Sequence, residues 1–214
     1  MPGRLIPLVN GEVYHLYNRG VNKQTIFIQP RDYTRFQKTF YYYKFAGPKV
    51  RFSNFNKSNL FKPILNDKLI EVFSYCLMPN HFHFLVKQLK DNGISVFMSQ
   101  LSNSYTKYLN TKCNRVGSLL QGTYKAVHVE SDEQLIHLSR YIHLNPVVSE
   151  LVKSPNNYKW SSFNEFMDKD YLCSSTEVLS MFPSKEKYGQ FVTDQINYGT
   201  TLELIKHHLI DDEV

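Results

Sequence analysis

Apolar and polar residues alternate along Val13-Tyr14-His15-Leu16-Tyr17, the two-residue period of a half-buried strand. The strand ends at Asn18-Arg19-Gly20, a turn that presents a guanidinium. The period then lengthens. Pro30-Arg31-Asp32 opens a helix to about Phe45 with Phe36, Phe40 and Tyr43 on one face, and Gly47-Pro48 stops it. Residues 49–66 hold four Asn, three Lys and one Arg and read as a loop or extension. Leu69 to Leu77 is a second strand and His81 to Gln88 a third, with Pro79-Asn80 as the tight turn before it. Ile94 to about Thr111 is a helix marked by Val96, Leu101, Tyr105 and Tyr108. Residues 112–122 are polar and punctuated by Gly, and Tyr124 to Val129 alternates as a fourth strand. Ser131-x-x-Gln134 is a capping-box pattern. The helix it opens carries Leu135, Leu138 and Ile142 and runs to about Asn145, before Pro146.

The order β-α-β-β-α-β, followed by one more helix, predicts an α+β fold with a ferredoxin-like antiparallel sheet. Residues 1–166 form the expected body and 167–214 a helical C-terminal extension. This fold supports many activities, so function has to be argued from side chains.

His81-Phe82-His83 is the most informative of these. Residues i and i+2 of a strand face the same way, about 6.6 Å apart. Both imidazoles can therefore reach one ion. An isolated His-x-His is more often a surface or core pair, because a metal site needs further ligands. The last helix supplies candidates. Tyr141 and Asn145 stand at i and i+4 on one helical face. If that face packs beside the histidines, a phenol sits next to a metal and the Asn145 amide oxygen is available as a third ligand. Such a set suits phosphoryl transfer, with a tyrosine attacking phosphorus and holding the cut strand covalently. His137, one turn before Tyr141, is a weak candidate for the base, and a tyrosine in an apolar helix is ordinarily core.

Charge sharpens the picture. Residues 1–166 hold 21 Lys and Arg against 10 Asp and Glu, and residues 167–214 hold 4 against 9. A body at +11 with many tyrosines suits phosphates and stacked bases, whereas the tail at −5 does not. No run of 18 apolar residues exists and no signal-peptide layout opens the chain, so a membrane partner is not expected and a cytoplasmic location is. Cys76, Cys113 and Cys173 are odd in number and widely spaced, which reads as reduced thiols.

Four blocks carry a resemblance. They are Tyr14-His15-Leu16-Tyr17-Asn18-Arg19-Gly20, Tyr75-Cys76-Leu77-Met78-Pro79-Asn80-His81-Phe82-His83, Leu120-Gln121-Gly122-Thr123-Tyr124-Lys125 and Arg140-Tyr141-Ile142-His143-Leu144-Asn145-Pro146. In this order, and with Tyr158-Lys159-Trp160-Ser161-Ser162 behind them, they resemble the REP-associated tyrosine transposases, of the single-strand transposase branch of the HUH endonucleases. The resemblance covers roughly residues 10–166, and Glu177–Phe182 with Tyr188–Val192 are more weakly similar to the helical extension of longer members. It implies His81 and His83 as the metal-binding pair, Asn145 as third ligand, Tyr141 as nucleophile, Mg²⁺ or Mn²⁺ as the ion, and a 5′-phosphotyrosine intermediate with a free 3′-OH. It also implies single-stranded or hairpin DNA as substrate. The third block departs from the family, with Leu120 where Trp is usual and Thr123 where Arg is usual. Candidate DNA contacts are Asn18, Arg19, Asn22, Lys23, Lys107, Lys112, Arg115 and Lys125. A monomer or homodimer is expected. The competing readings are a non-cutting nucleic-acid-binding module on the same fold, and a structural zinc site that adds Cys76 to the histidines.

Overall fold

A computed structural model of the chain describes residues 7–46, 51–55, 67–169 and 171–196. Its strands are β1 (Val13–Arg19), β2 (Ile70–Met78), β3 (His81–Gln88) and β4 (Lys125–Val129). Its helices are α1 (Pro30–Tyr43), α2 (Phe52–Phe55), α3 (Gly93–Lys112), α4 (Asp132–Val148), α5 (Phe163–Met167), α6 (Thr176–Leu179) and α7 (Lys185–Thr193). The sheet order is β2-β3-β1-β4, and β1 runs antiparallel to both β3 and β4. This is the strand order of a ferredoxin-like sheet, as the element order predicts. The polar stretch expected over 49–66 falls mostly outside the described residues, and so does the Gly47-Pro48 stop. Phe52–Phe55 forms one helical turn.

The chain divides into two compact units, one of residues 1–72 and 79–129, the other of residues 73–78 and 130–214. The core of the first unit is aromatic. Phe36 of α1 lies 5.1 Å from Phe82 and 6.2 Å from Phe84, ring centre to ring centre, and Phe97 of α3 lies 6.0 Å from Phe84. Alternation on β3 sends Phe82 and Phe84 to this helical layer and His81 and His83 to the opposite face. Asp32 joins the two helices. It is fully buried, its Oδ2 accepts the N–H groups of Ile28 and Gln29, and its Oδ1 accepts from the Tyr108 hydroxyl at 2.8 Å and the Lys112 ammonium at 2.7 Å. Burial works against its charge, but hydrogen bonds from Lys112, Tyr108 and Gln29 outweigh it and hold the carboxyl below its ordinary pKa.

In the second unit α4 begins where the sequence predicts. Ser131 accepts the Gln134 N–H at 3.2 Å, and the Gln134 side chain reaches back to the Glu130 N–H at 2.7 Å. The end differs from expectation. The helix does not stop at Asn145 but continues through Pro146 to Val148. Proline's fixed φ suits a helix, so it removes one N–H but does not force a stop. Leu144 to Val147 are buried, and their packing offsets the lost bond. The Ser149 N–H closes the turn on the Asn145 carbonyl at 3.0 Å. Residues 160–162 run along the outer half of β2, with the Leu77 N–H bonded to the Trp160 carbonyl at 3.0 Å and the Ser162 N–H to the Tyr75 carbonyl at 2.9 Å.

Lys112→Met should destabilise the protein by about 3 kcal/mol at neutral pH, because it leaves a buried carboxylate short of its counter-charge. Asp32 has a depressed folded pKa, so its contribution is present above the unfolded carboxylate value of about 3.9 and is lost as pH falls through the lower folded value. Urea unfolding of both proteins should therefore show a gap that narrows below pH 4. A gap independent of pH would exclude this origin.

Candidate active site

His81 and His83 share one face of β3, and the register with β1 brings a third imidazole to it. Tyr17 pairs with His83 and Arg19 with His81, so Tyr17, Arg19 and His15 face the same way as the two histidines. The His81 and His83 rings are 5.0 Å apart and nearly perpendicular. The His15 Nε2 is 2.9 Å from the His83 Nδ1, and the Tyr17 ring lies 5.9 Å from that of His83. Burial holds His83 well below the ordinary histidine pKa, with neighbouring His81 and His15 adding to the effect, and burial lowers His15 to about 4. Both are neutral at pH 7, the state in which imidazole ligates a metal.

The turn before His81 is tied down from several sides. The Gly20 N–H donates to the Asn80 carbonyl at 2.8 Å, and the N–H groups of Ile26 and Phe27 both donate to the Pro79 carbonyl. A Cβ on Gly20 would collide with the Gln24 carbonyl, so this close approach requires glycine. The His81 Nδ1 is 2.6 Å from the Asn80 Oδ1. An amide oxygen only accepts, so Nδ1 carries the hydrogen and the His81 lone pair is on Nε2. This is the arrangement of a histidine ligand oriented by an outer partner. The His83 Nδ1 likewise faces a partner, His15. Neutral, oriented imidazoles fit a divalent ion. Among the described residues no group of three or more His, Cys, Asp or Glu side chains is placed to hold a metal ion.

Tyr141 and Asn145 stand together on α4 in the second unit. Tyr141 is exposed and Asn145 is buried. His137 has its Nδ1 2.6 Å from an Arg140 guanidinium nitrogen, so its lone pair is engaged by a donor and it is poorly placed as a base. Cys76 is fully buried, and burial raises its thiol pKa, the reverse of what a zinc thiolate needs.

The candidate DNA contacts separate into groups. Asn18 is buried, donates to the Gly122 carbonyl at 3.3 Å and accepts the Arg19 N–H at 2.8 Å. Lys112 is bound to Asp32, as described above. Arg115 reaches Gln24 at 3.0 Å, and Arg19 bonds to Gln121. These two, with the exposed Asn22, Lys23 and Lys125, lie on the loops and strand ends at the His81 end of the sheet, which are stitched by the bonds Val21 N–H to Leu119 carbonyl and Gln121 N–H to Arg19 carbonyl. Asn22 and Lys23 both hold left-handed backbone, with φ of 52° and 56°. Lys107 is exposed on α3, away from these loops in sequence.

Sequence reasoning missed a fully buried network around α4. The His143 Nδ1 is 2.6 Å from the Tyr188 hydroxyl of α7, and its Nε2 is 2.8 Å from the Ser162 Oγ. Ser162 in turn meets the Tyr75 N–H and carbonyl, and Tyr188 meets Ser139 at 3.0 Å. The neutral imidazole is bonded at both nitrogens, donating at one and accepting at the other. The only signal in the sequence is that His143 lies between Tyr141 and Asn145.

Over residues 48–145, a little under half of its length, the chain matches the family model "Transposase IS200 like". In fold it is similar to a REP-associated tyrosine transposase solved bound to a REP hairpin, at 12% identity and a TM-score of 0.57, over 83% of this chain and 93% of that one. A weaker likeness, at 14% identity and a TM-score of 0.37, is to a candidate transposase from Deinococcus radiodurans, over 66% of this chain and 95% of that one. No curated protein matches the sequence. Among the described residues no helix is long and apolar enough to cross a membrane.

Burial lowers His143 to about 3 and His15 to about 4, and holds His83 well below the ordinary value. The unfolded chain binds protons at these sites from about pH 6.5 downward, while the folded chain does not. Stability should therefore fall as pH drops from 6.5 towards 4, by about 1.4 kcal/mol per pH unit for each such histidine. Equilibrium unfolding across that range checks it, and a flat profile would contradict the neutral, buried histidines.

Proposed function

We propose that the protein is a metal-dependent endonuclease and strand transferase acting on single-stranded or hairpin DNA, with Tyr141 as nucleophile. The observation that carries this reading is the pair of imidazoles on one face of β3, of which His83 is held neutral by burial and His81 is oriented by Asn80. The family match and the fold shared with a hairpin-bound tyrosine transposase support it. In this reading His81 and His83 hold Mg²⁺ or Mn²⁺ through Nε2, with the Asn145 amide oxygen as a third ligand. When bound, the ion offsets charge on the scissile phosphate.

The phenolic oxygen of Tyr141 attacks phosphorus and loses its proton. The bond from phosphorus to the 3′-oxygen breaks, and that oxygen leaves as a 3′-OH after taking up a proton. The 5′-phosphate stays on Tyr141 as a phosphodiester. Bond energy is conserved, so a 3′-OH attacking the same phosphorus rejoins a strand without a nucleotide cofactor. Exposure of Tyr141 leaves the phenol accessible. Arg19, Lys23, Arg115 and Lys125, with Asn22, are the DNA contacts of choice, since Asn18 and Lys112 are engaged inside the protein. Lys107 is a separate candidate on α3.

A labelled single-stranded hairpin incubated with protein and Mn²⁺ tests the reading on a denaturing gel. Wild type should give a covalent protein–DNA band. Tyr141→Phe should lose it and keep hairpin affinity within about threefold, because only the phenolic oxygen is removed. His81→Ala or His83→Ala should lose cleavage, and Asn145→Ala should be milder because water replaces one neutral ligand. A persistent adduct in Tyr141→Phe would move the role to another tyrosine, with Tyr124 next. Affinity should fall by about 0.7 log units per phosphate contact for each log unit of salt.

A further inference from the structure

We propose that His15 is a positioning residue for the metal site, fixing the tautomer and ring direction of His83. The inference rests on the reading of His83 as a metal ligand and adds a residue that does not itself touch the ion. The His15 Nε2 and the His83 Nδ1 are 2.9 Å apart, a hydrogen-bond distance between two buried rings. The rings are near parallel, 19° between planes with centres 5.1 Å apart, so the contact is in line and not a T-shaped ring packing.

One hydrogen lies between these nitrogens. If His15 donates it, the His83 lone pair is on Nδ1, taken up by His15, and His83 Nε2 carries a hydrogen and cannot ligate. If His83 donates it, Nδ1–H points at His15 and the lone pair is on Nε2. The second state matches His81, whose Nδ1–H points at Asn80. Two outer partners, a side-chain amide and an imidazole, would thus set both ligands to the same Nε2 tautomer. The backbone makes this possible. His15 and Tyr17 are two residues apart on β1, and Tyr17 is paired with His83, so His15 sits diagonally across from it on the same face.

The test uses the full-length protein and two readouts. Nitrogen-15 NMR of the imidazoles in the metal-free wild type, assigned by single variants, should show His83 protonated at Nδ1 and unprotonated at Nε2. Mn²⁺ binding, followed by the loss of the free-ion electron paramagnetic resonance signal, should weaken about 10- to 100-fold in His15→Phe. His15→Gln should restore most of it, because an amide oxygen can accept from Nδ1–H. Circular dichroism confirms that each variant is folded. If His15→Phe does not fold, the tautomer in wild type and the affinity of His15→Gln decide. His83 protonated at Nε2 in wild type, or equal Mn²⁺ affinity in a folded His15→Phe, would overturn the role of His15 while leaving the metal site standing. Wild type that binds no Mn²⁺ would overturn the metal reading itself, and this proposal with it.

Discussion

The antiparallel register between β1 and β3 is the constraint on which the candidate site depends. Because side chains alternate, a one-residue slip would send every residue of β1 to the other face. His15 and Tyr17 would enter the aromatic layer of Phe36, Phe84 and Phe97, and Leu16 would replace them beside His83. Burial enforces the observed register. Leu16, Phe82 and Phe84 are fully buried under α1 and α3, and exchanging them for histidines would bury polar nitrogens among aromatic rings. The histidine face is thus specified by the apolar residues that turn away from it.

That explains which parts were legible in the sequence. His81 and His83 could be placed on one strand face because two-residue alternation is local. The start of α4 was legible at Ser131 and Gln134 for the same reason, since a cap is a contact over three residues. Pro146 misled because a local rule met a tertiary one, namely the burial of Leu144 to Val147. The His15–His83 contact spans 68 residues and the Lys112–Asp32 pair 80, and no pattern of hydrophobicity announces either. Lys112 is instructive. From sequence it was one basic residue among several, and only packing of α1 on α3 revealed a buried acid that takes its charge.

The resemblance to tyrosine transposases reached further than periodicity did. It singled out Tyr141 from 15 tyrosines, a choice that helical spacing cannot make. It did not supply what holds those residues. Asn80 beside His81, His15 beside His83 and Tyr188 beside His143 lie in or near the matching blocks, yet their roles emerge only from distances. Candidate side chains are read from motifs more readily than the neighbours that orient them, because the neighbours come from any segment that folds alongside.

With Tyr141 read as the nucleophile, α4 has two opposed requirements. The reacting group needs access, and the backbone beneath it needs to stay in place. On α4 these are assigned to different faces. Tyr141 is exposed, while His143, about 200° further round the helix, is fully buried and bonded at both nitrogens. The bonds tie the turn between Tyr141 and Asn145 to Ser162 on one side and to Tyr188 on the other. A neutral imidazole is suited to this. It can accept at one nitrogen and donate at the other, and it introduces no buried charge. Leucine at 143 would fill similar space but leave the Ser162 and Tyr188 hydroxyls each short of a partner. Helix α7 therefore does more than cover apolar surface: through Tyr188 it bonds to both His143 and Ser139 of the helix bearing Tyr141.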